Sequence, residues 1–246
     1  MKVLGIDTTA GVASVAITEN GKALSSFTLD SGNTHSVTLL PMIETSLKVL
    51  NLTTSDISLY AVSAGPGSFT GVRIGAATVK GLAFAADTPC VGVSSLEAMA
   101  ENLRGLNGII CPVINARGGR VYTALFESDG MKPPKRLTED DTLPLEELRS
   151  LLSQFEGEVI YFVGDAYDVA KEKIQLDGVK ETPLTLRAQN AVGVALLGER
   201  KFREATGEER ERMTAENLSV IYLRQPQAER EREERLAAGR DLAKGV

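Results

Sequence analysis

An α/β fold is what this sequence predicts, and three observations carry the prediction. Apolar runs of strand length, such as Lys2 to Ile6 and Leu59 to Ala64, alternate with stretches of helical periodicity. Gly and Asn mark the junctions, as at Asn20-Gly21. Hydrophobic residues are 43% and charged residues 24% of 246, the balance of a globular chain with a sizeable core in one or two domains.

The first 30 residues read as three strands. Lys2 to Ile6 is mostly apolar, Val12 to Ile17 is rich in Val and Ala, and Leu24 to Leu29 follows Asn20-Gly21, a strong hairpin signal. A helix follows, with Ser36 or Thr34 as its cap and Leu40, Ile43, Leu47 and Leu50 at helical spacing. Pro41 removes one backbone donor from it, and Asn51-Leu52 end it. Leu59 to Ala64 is a buried strand, Thr70 to Ala86 a second helix, and Pro89 to Val93 another strand. Ser94-Ser95-Leu96-Glu97 opens a further helix in capping-box form, with Glu97 capping its own helix. A second half begins near Gly105. Ile109 to Ile114 and Val121 to Phe126 form a hairpin across Ala116-Arg117-Gly118-Gly119, Val159 to Val163 is a strand, and Gln189 to Phe202 is an amphipathic helix. From Gln227 the chain is rich in Glu and Arg with no core-sized apolar set, as in a solvated, frayed helix or tail.

The segment Gly65-Pro66-Gly67-Ser68-Phe69-Thr70-Gly71-Val72-Arg73-Ile74-Gly75 joins strand to helix. Such a turn lets backbone N–H groups converge on an anion or on another backbone. It lacks both the Lys-Ser/Thr ending of a P-loop and the spacing of a dinucleotide fold. Gly71, Gly75 and Gly81 lie inside the helix, where each glycine costs about 0.5–1 kcal/mol relative to alanine. They call either for close approach by a partner backbone or ligand, or for packing on the chain's own sheet.

Composition excludes several classes. No run of about 18 apolar residues exists, so no membrane span is expected. Asp7 arrives too early for a signal-peptide apolar core, and a cytoplasmic location is the expectation. Cys90 and Cys111 make no disulfide framework and read as buried, reduced thiols. A net charge of −6 disfavours tight nucleic-acid binding by this chain alone. The single histidine, His35, excludes a zinc site built on several histidines, and any Ser-His-Asp triad would have to use it. It reads as a structural group at the helix start, with proton donor as the alternative.

Gly5-Ile6-Asp7-Thr8-Thr9, the hairpin and the helix–strand–helix order resemble the actin-like ATPase lobe of sugar kinases, chaperones and actin. Ser63 to Gly75 closely resembles the signature of the TsaB family of bacterial tRNA threonylcarbamoyladenosine biosynthesis proteins. Asp7-Thr8-Thr9, Thr34-His35-Ser36 with Leu39-Leu40-Pro41, Asn115-Ala116-Arg117 with Val121-Tyr122, and Tyr222-Leu223-Arg224 agree, so the likeness spans about residues 1–225. The catalytic relative, TsaD, carries an Asn-His-x-Glu-Gly-His metal-binding pattern. Here the matching place reads Ser94-Ser95-Leu96-Glu97-Ala98-Met99, and Ser95 and Met99 stand where the relative has its histidines.

The resemblance implies a two-lobed actin-like ATPase (ribonuclease H-like) fold: a first lobe over 1–104, a reduced second lobe over 105–225 and a charged tail over 226–246. It implies a non-catalytic, activating subunit with no catalytic residue, cofactor or metal of its own. That subunit would form a heterodimer with TsaD, support TsaE in a ternary complex, pair as a homodimer when alone, and meet tRNA only indirectly. The expected interface lies on the helices 36–50 and 70–86, through Leu39, Ile43, Gly71, Ile74, Gly75 and Thr78. The alternative is an ATP-dependent small-molecule kinase or ATPase of the same fold, with Asp7, Thr8 and the glycine turn holding phosphates. Against it, the second lobe is short and Val163-Gly164-Asp165 is too brief for a second phosphate loop.

Overall fold

A computed structural model describes residues 1–224; the expected charged tail lies outside the described residues. The chain runs β1 (Lys2–Asp7), β2 (Ala13–Glu19), β3 (Lys22–Leu29), α1 (His35–Val49), β4 (Leu59–Ser63), α2 (Phe69–Ala86), β5 (Cys90–Val93) and α3 (Ser95–Asn102). It continues through β6 (Asn107–Asn115), β7 (Arg120–Thr123), β8 (Phe126–Asp129), β9 (Lys135–Arg136), β10 (Asp141–Pro144), α4 (Leu145–Leu152), β11 (Ile160–Val163), α5 (Tyr167–Lys173), β12 (Val179–Lys180), α6 (Ala191–Glu204) and α7 (Gly207–Glu211).

The first sheet has the order β3-β2-β1-β4-β5, with β2 and β3 antiparallel to their neighbours and β1, β4 and β5 parallel. Asn20 and Gly21 both take positive φ, 50° and 80°, as the two-residue hairpin turn between β2 and β3 requires. The second sheet runs β10-β7-β6-β11-β12, with β8 also on β6 and β9 on β8. The strand expected over 121–126 is two short strands: β7 pairs with Val113–Asn115 and β8 with Asn107–Ile110. Leu125 breaks the ladder because its N–H bonds the Thr138 hydroxyl instead.

Period-2 alternation feeds two layers from each central strand. From β1, Leu4 and Ile6 join Leu39, Ile43 and Leu47 of α1 and Val79 and Ala83 of α2 in one core. Val3 faces the other way, onto Val194 and Ala195 of α6. Gly5 lets α6 come down on the sheet: a Cβ there would stand 2.9 Å from the Ala195 nitrogen. The second lobe repeats the plan: Cys111 and Val113 pack with α4 and α5, while Ile110 and Ile114 pack with Leu96 and Met99 of α3. So α3, from the first half, packs on the second sheet, and α6, from the second half, packs on the first.

Helix ends follow local chemistry. Asn51 (φ 53°) ends α1 with Leu52 N–H on the Leu47 carbonyl and Asn51 N–H on the Lys48 carbonyl, the Schellman pattern. Thr34 occupies the N-cap place but makes no side-chain cap bond. Within α1 the buried set is Leu39, Met42, Ile43, Ser46 and Leu47. Leu40, expected in the core stripe, is 51% exposed.

Candidate functional site

The glycine-rich turn is stitched to the turn after β1. Ser68 N–H donates to the Thr9 carbonyl at 2.7 Å, and the Thr8 hydroxyl donates to the Gly71 carbonyl at 2.7 Å. A Cβ on Gly67 would overlap the Thr9 carbonyl, and one on Gly71 would overlap the Thr8 carbonyl. A Cβ on Gly75 would stand 2.5 Å from the Thr8 hydroxyl oxygen. At Gly67 and Gly71 backbone approaches backbone within one chain, and at Gly75 the Thr8 side chain fills the space, which is why these positions are glycine. Ser68 caps α2 by accepting from Gly71 N–H. The Gly65–Pro66 peptide is cis, Ser95 N–H donates to the Gly65 carbonyl at 3.0 Å, and the Ser95 hydroxyl donates to the Pro66 carbonyl.

Asp7 sits beneath this knot, 1% exposed. One carboxylate oxygen accepts from Thr9 N–H (2.9 Å) and Thr9 hydroxyl (2.7 Å), the other from the Ser63 hydroxyl (2.7 Å). Burial pushes its pKa above the usual carboxylate range, against the lowering pull of these hydrogen bonds and of His35. The acid therefore braces the turn rather than facing open space. His35 Nε2 lies 2.7 Å from the Ala10 carbonyl and holds the same turn, the structural role expected of it. Burial also raises the thiols, Cys90 to about 11 and Cys111 to about 12.

Outside the carboxyl ends of β1, β6 and β11 lies a cavity of about 570 Å³ between the two sheets. Thr9, Ser68, Phe69 and Thr70 line it from the first lobe; Asn115, Arg117, Tyr122 and Asp165 line it from the second. Asp165 accepts from Asn115 N–H at 2.8 Å and is raised by burial. Open α/β sheets bind ligands in such a crevice. Its rim also includes Ile221 to Arg224, a stretch whose sole signal in the sequence is the likeness of Tyr222-Leu223-Arg224 to the family's close.

The six expected interface residues divide. Leu39 (1%) and Ile43 (2%) are core residues, and Gly71 and Gly75 are buried against Thr8, so these four are spent inside the chain. Ile74 and Thr78 are half-buried on the outer side of α2. With them on that side lie exposed Ala77 and Gly81, and Phe84 is 76% exposed. Among the described residues, nothing lies within 4 Å of a Cβ built on Gly81. From α1, Val37 (66%) and Leu40 (51%) are exposed. The open small-residue face is thus centred on Gly81, not on Gly71 and Gly75. A lone phenylalanine at 84 among small residues was the available signal.

At the position of the catalytic relative's metal pattern, Met99 is a fully buried core residue. Ser94 caps α3 by accepting from Glu97 N–H, as expected. The Glu97 side chain does not close the capping box; it pairs with Arg136 (3.3 Å) and Arg200 (3.2 Å).

A family model described as tRNA N6-adenosine threonylcarbamoyltransferase, TsaD, matches residues 30–231. The tRNA threonylcarbamoyladenosine biosynthesis protein TsaB of Bacillus subtilis (strain 168) is 29% identical over 232 residues, 93% of this chain and 96% of the relative. The protein of the same name from Escherichia coli (strain K12) is 39% identical over 131 residues, 52% of this chain and 56% of the relative. Among solved structures, YeaZ from Pseudomonas aeruginosa superposes with a TM-score of 0.71 at 25% identity, covering 90% of this chain and 99% of that one. An activator of 2-hydroxyisocaproyl-CoA dehydratase from Clostridium difficile, with bound ADPNP, gives 0.51 at 12% identity over 84% of this chain and 99% of that one. That likeness is one of fold, the two-lobed actin-like ATPase type.

Proposed function

The chain belongs to the TsaD family and, within it, to the TsaB proteins of tRNA threonylcarbamoyladenosine biosynthesis, and on that premise we propose that it serves this modification as a non-catalytic, activating subunit. It pairs with a TsaD-type transferase and supports the binding of TsaE. The observation that carries the pairing is the outer side of α2, where Ala77, Gly81 and Phe84 are exposed among the described residues beside half-buried Ile74 and Thr78, together with exposed Val37 and Leu40 of α1. Exposed apolar residues in a small-residue setting allow a partner helix to approach closely. The same face serves a homodimer when the chain is alone. The non-catalytic part is supported by Ser95 and Met99, which are spent on a Pro66 hydrogen bond and on core packing where the catalytic relative's pattern has ligands.

Gly81→Arg tests the pairing. Arginine is a better helix former than glycine, so the variant folds with equal or higher stability, yet it plants a charged side chain on the proposed contact. The expected result is loss of co-purification with TsaD at an unchanged circular dichroism spectrum. Normal pairing by the folded variant removes α2 from the interface. Gly75→Leu, by contrast, is expected to lose the fold, because Thr8 leaves no room.

The kinase or ATPase reading keeps one observation in its favour, the cavity beside the first turn of α2. Against it, Asp7 is enclosed by Thr9 and Ser63, and the Ser68 N–H is taken by Thr9. Calorimetry of the isolated chain with ATP and magnesium separates the readings: micromolar binding favours the kinase, none favours the subunit.

A further inference from the structure

The segment after α7 runs from the first core across to the second lobe. The Met213 carbonyl accepts from Cys90 N–H at 2.8 Å, and Leu218 is buried in the first core. The Ile221 N–H then donates to the Ala64 carbonyl at 2.7 Å. The Ile221 carbonyl lies so near Gly65 that a Cβ there would overlap it. Tyr222 packs on Phe69 with ring centroids 5.0 Å apart, and its hydroxyl accepts from Arg73 Nε at 2.7 Å. Arg73 in turn lies 3.8 Å over the Phe69 ring. Two residues on, the Arg224 guanidinium donates to the Ala116 carbonyl at 2.5 Å and the Arg117 carbonyl at 3.2 Å. Those carbonyls belong to the turn between β6 and β7, in the second lobe.

We propose that residues 218–224 form a latch that sets how far the inter-lobe cleft opens. Leu218 and Tyr222 are its anchor on the first lobe, and Arg224 is its hook on the second. The hook makes charge-assisted bonds, roughly twice as strong as neutral ones. It grips a turn in which Arg117, Gly118 and Gly119 have successive positive φ of 59°, 62° and 70°. Ile221 to Arg224 all line the cavity, so the latch crosses the space it controls. The latch belongs to the chain by itself and does not depend on the pairing proposed above.

Spin labels on Cys substituted for exposed Thr45 and Gln154 would report the lobe separation in the full chain; the native Cys90 and Cys111 are buried and escape labelling. The parent is expected to give one narrow distance distribution. Arg224→Ala and Tyr222→Ala are expected to broaden it or shift it to longer distance, while Tyr222→Phe, which keeps the ring stack, stays nearer the parent. In Arg224→Ala, amide exchange over 115–119 should rise at least ten-fold, with 109–113 unchanged. Arg224 lies outside all four hydrophobic core clusters, so this variant decides the matter even if Tyr222→Ala fails to fold. A folded Arg224→Ala with the parent's distances and exchange overturns the latch.

Discussion

Asp7 stands in the position where an actin-like nucleotide enzyme would turn its acid toward phosphate and metal, yet here three donors from Thr9 and Ser63 enclose it. Its consequence is a pH dependence of an unusual sign. Burial raises the folded pKa above the unfolded one, so the native state holds the proton more tightly than the unfolded chain does. That contribution to stability is present at low pH and is lost as pH climbs from the ordinary aspartate range through the raised value. Asp7→Asn keeps the shape, accepts from Thr9 and donates to Ser63, and does not titrate. Urea midpoints of parent and variant measured from pH 4 to 8 should therefore diverge in the variant's favour as pH rises, then run parallel. Parallel curves throughout would mean that Asp7 does not titrate differently in the two states.

At the scale of elements, α2 shows two glycine uses that one sequence pattern cannot separate. Gly71 meets the Thr8 carbonyl, whereas Gly81 meets nothing within 4 Å among the described residues. Gly71→Ala should cost about 2 kcal/mol or more by forcing helix and turn apart. Gly81→Ala should gain about 0.5–1 kcal/mol through helix propensity. Opposite shifts in the urea midpoint are the expected outcome; a loss at both would place a neighbour over Gly81. The same contrast marks the limit of what the sequence discloses. Strand and helix order came through because alternation and 3.6-residue periodicity are local properties, and Asn20-Gly21 and Asn51 carry their left-handed backbone in their own chemistry. The face on which Gly71 lies depends on Thr8, some sixty residues earlier, and no local pattern records it. Helix α4 does carry a local signal, Leu145, Leu148 and Leu152 at helical spacing with Glu146 and Glu147 in an acidic first turn, but at eight residues the signal is short. The strap over 213–224 has no periodicity at all, since it is ordered by single hydrogen bonds to Cys90 and Ala64 and a ring contact with Phe69 rather than by a repeating face.

In the whole molecule the two halves exchange helices, and an ion-pair network sits where they meet. Glu97 and Glu101 on α3 share Arg200 of α6, with Glu101 2.8 Å from it; Glu97 also pairs with Arg136 of β9, which bonds Asp140, which accepts from the Ser94 hydroxyl. The Glu101 side chain is only 2% exposed, and Arg104 is its other partner, at 3.1 Å. Removing one member of a buried pair leaves an uncompensated charge and costs about 3–5 kcal/mol, while replacing both members with apolar groups of similar volume is often neutral. Arg200→Met should fall near the lower end, about 3 kcal/mol, because Arg104 remains to Glu101. Glu101→Met/Arg200→Met should recover a good part of that loss. A double-mutant cycle on urea unfolding measures the coupling, and additive single effects would mean that the Glu101–Arg200 pair adds nothing to the packing and to the Gly193 N–H bond to Asn102 that also join α3 and α6. The cycle also bears on how the lobes are joined. The network couples α3, on the second sheet, to α6, on the first, so its loss should weaken the whole molecule cooperatively, whereas cutting the Arg224 hook should loosen the cleft and leave global stability nearly intact.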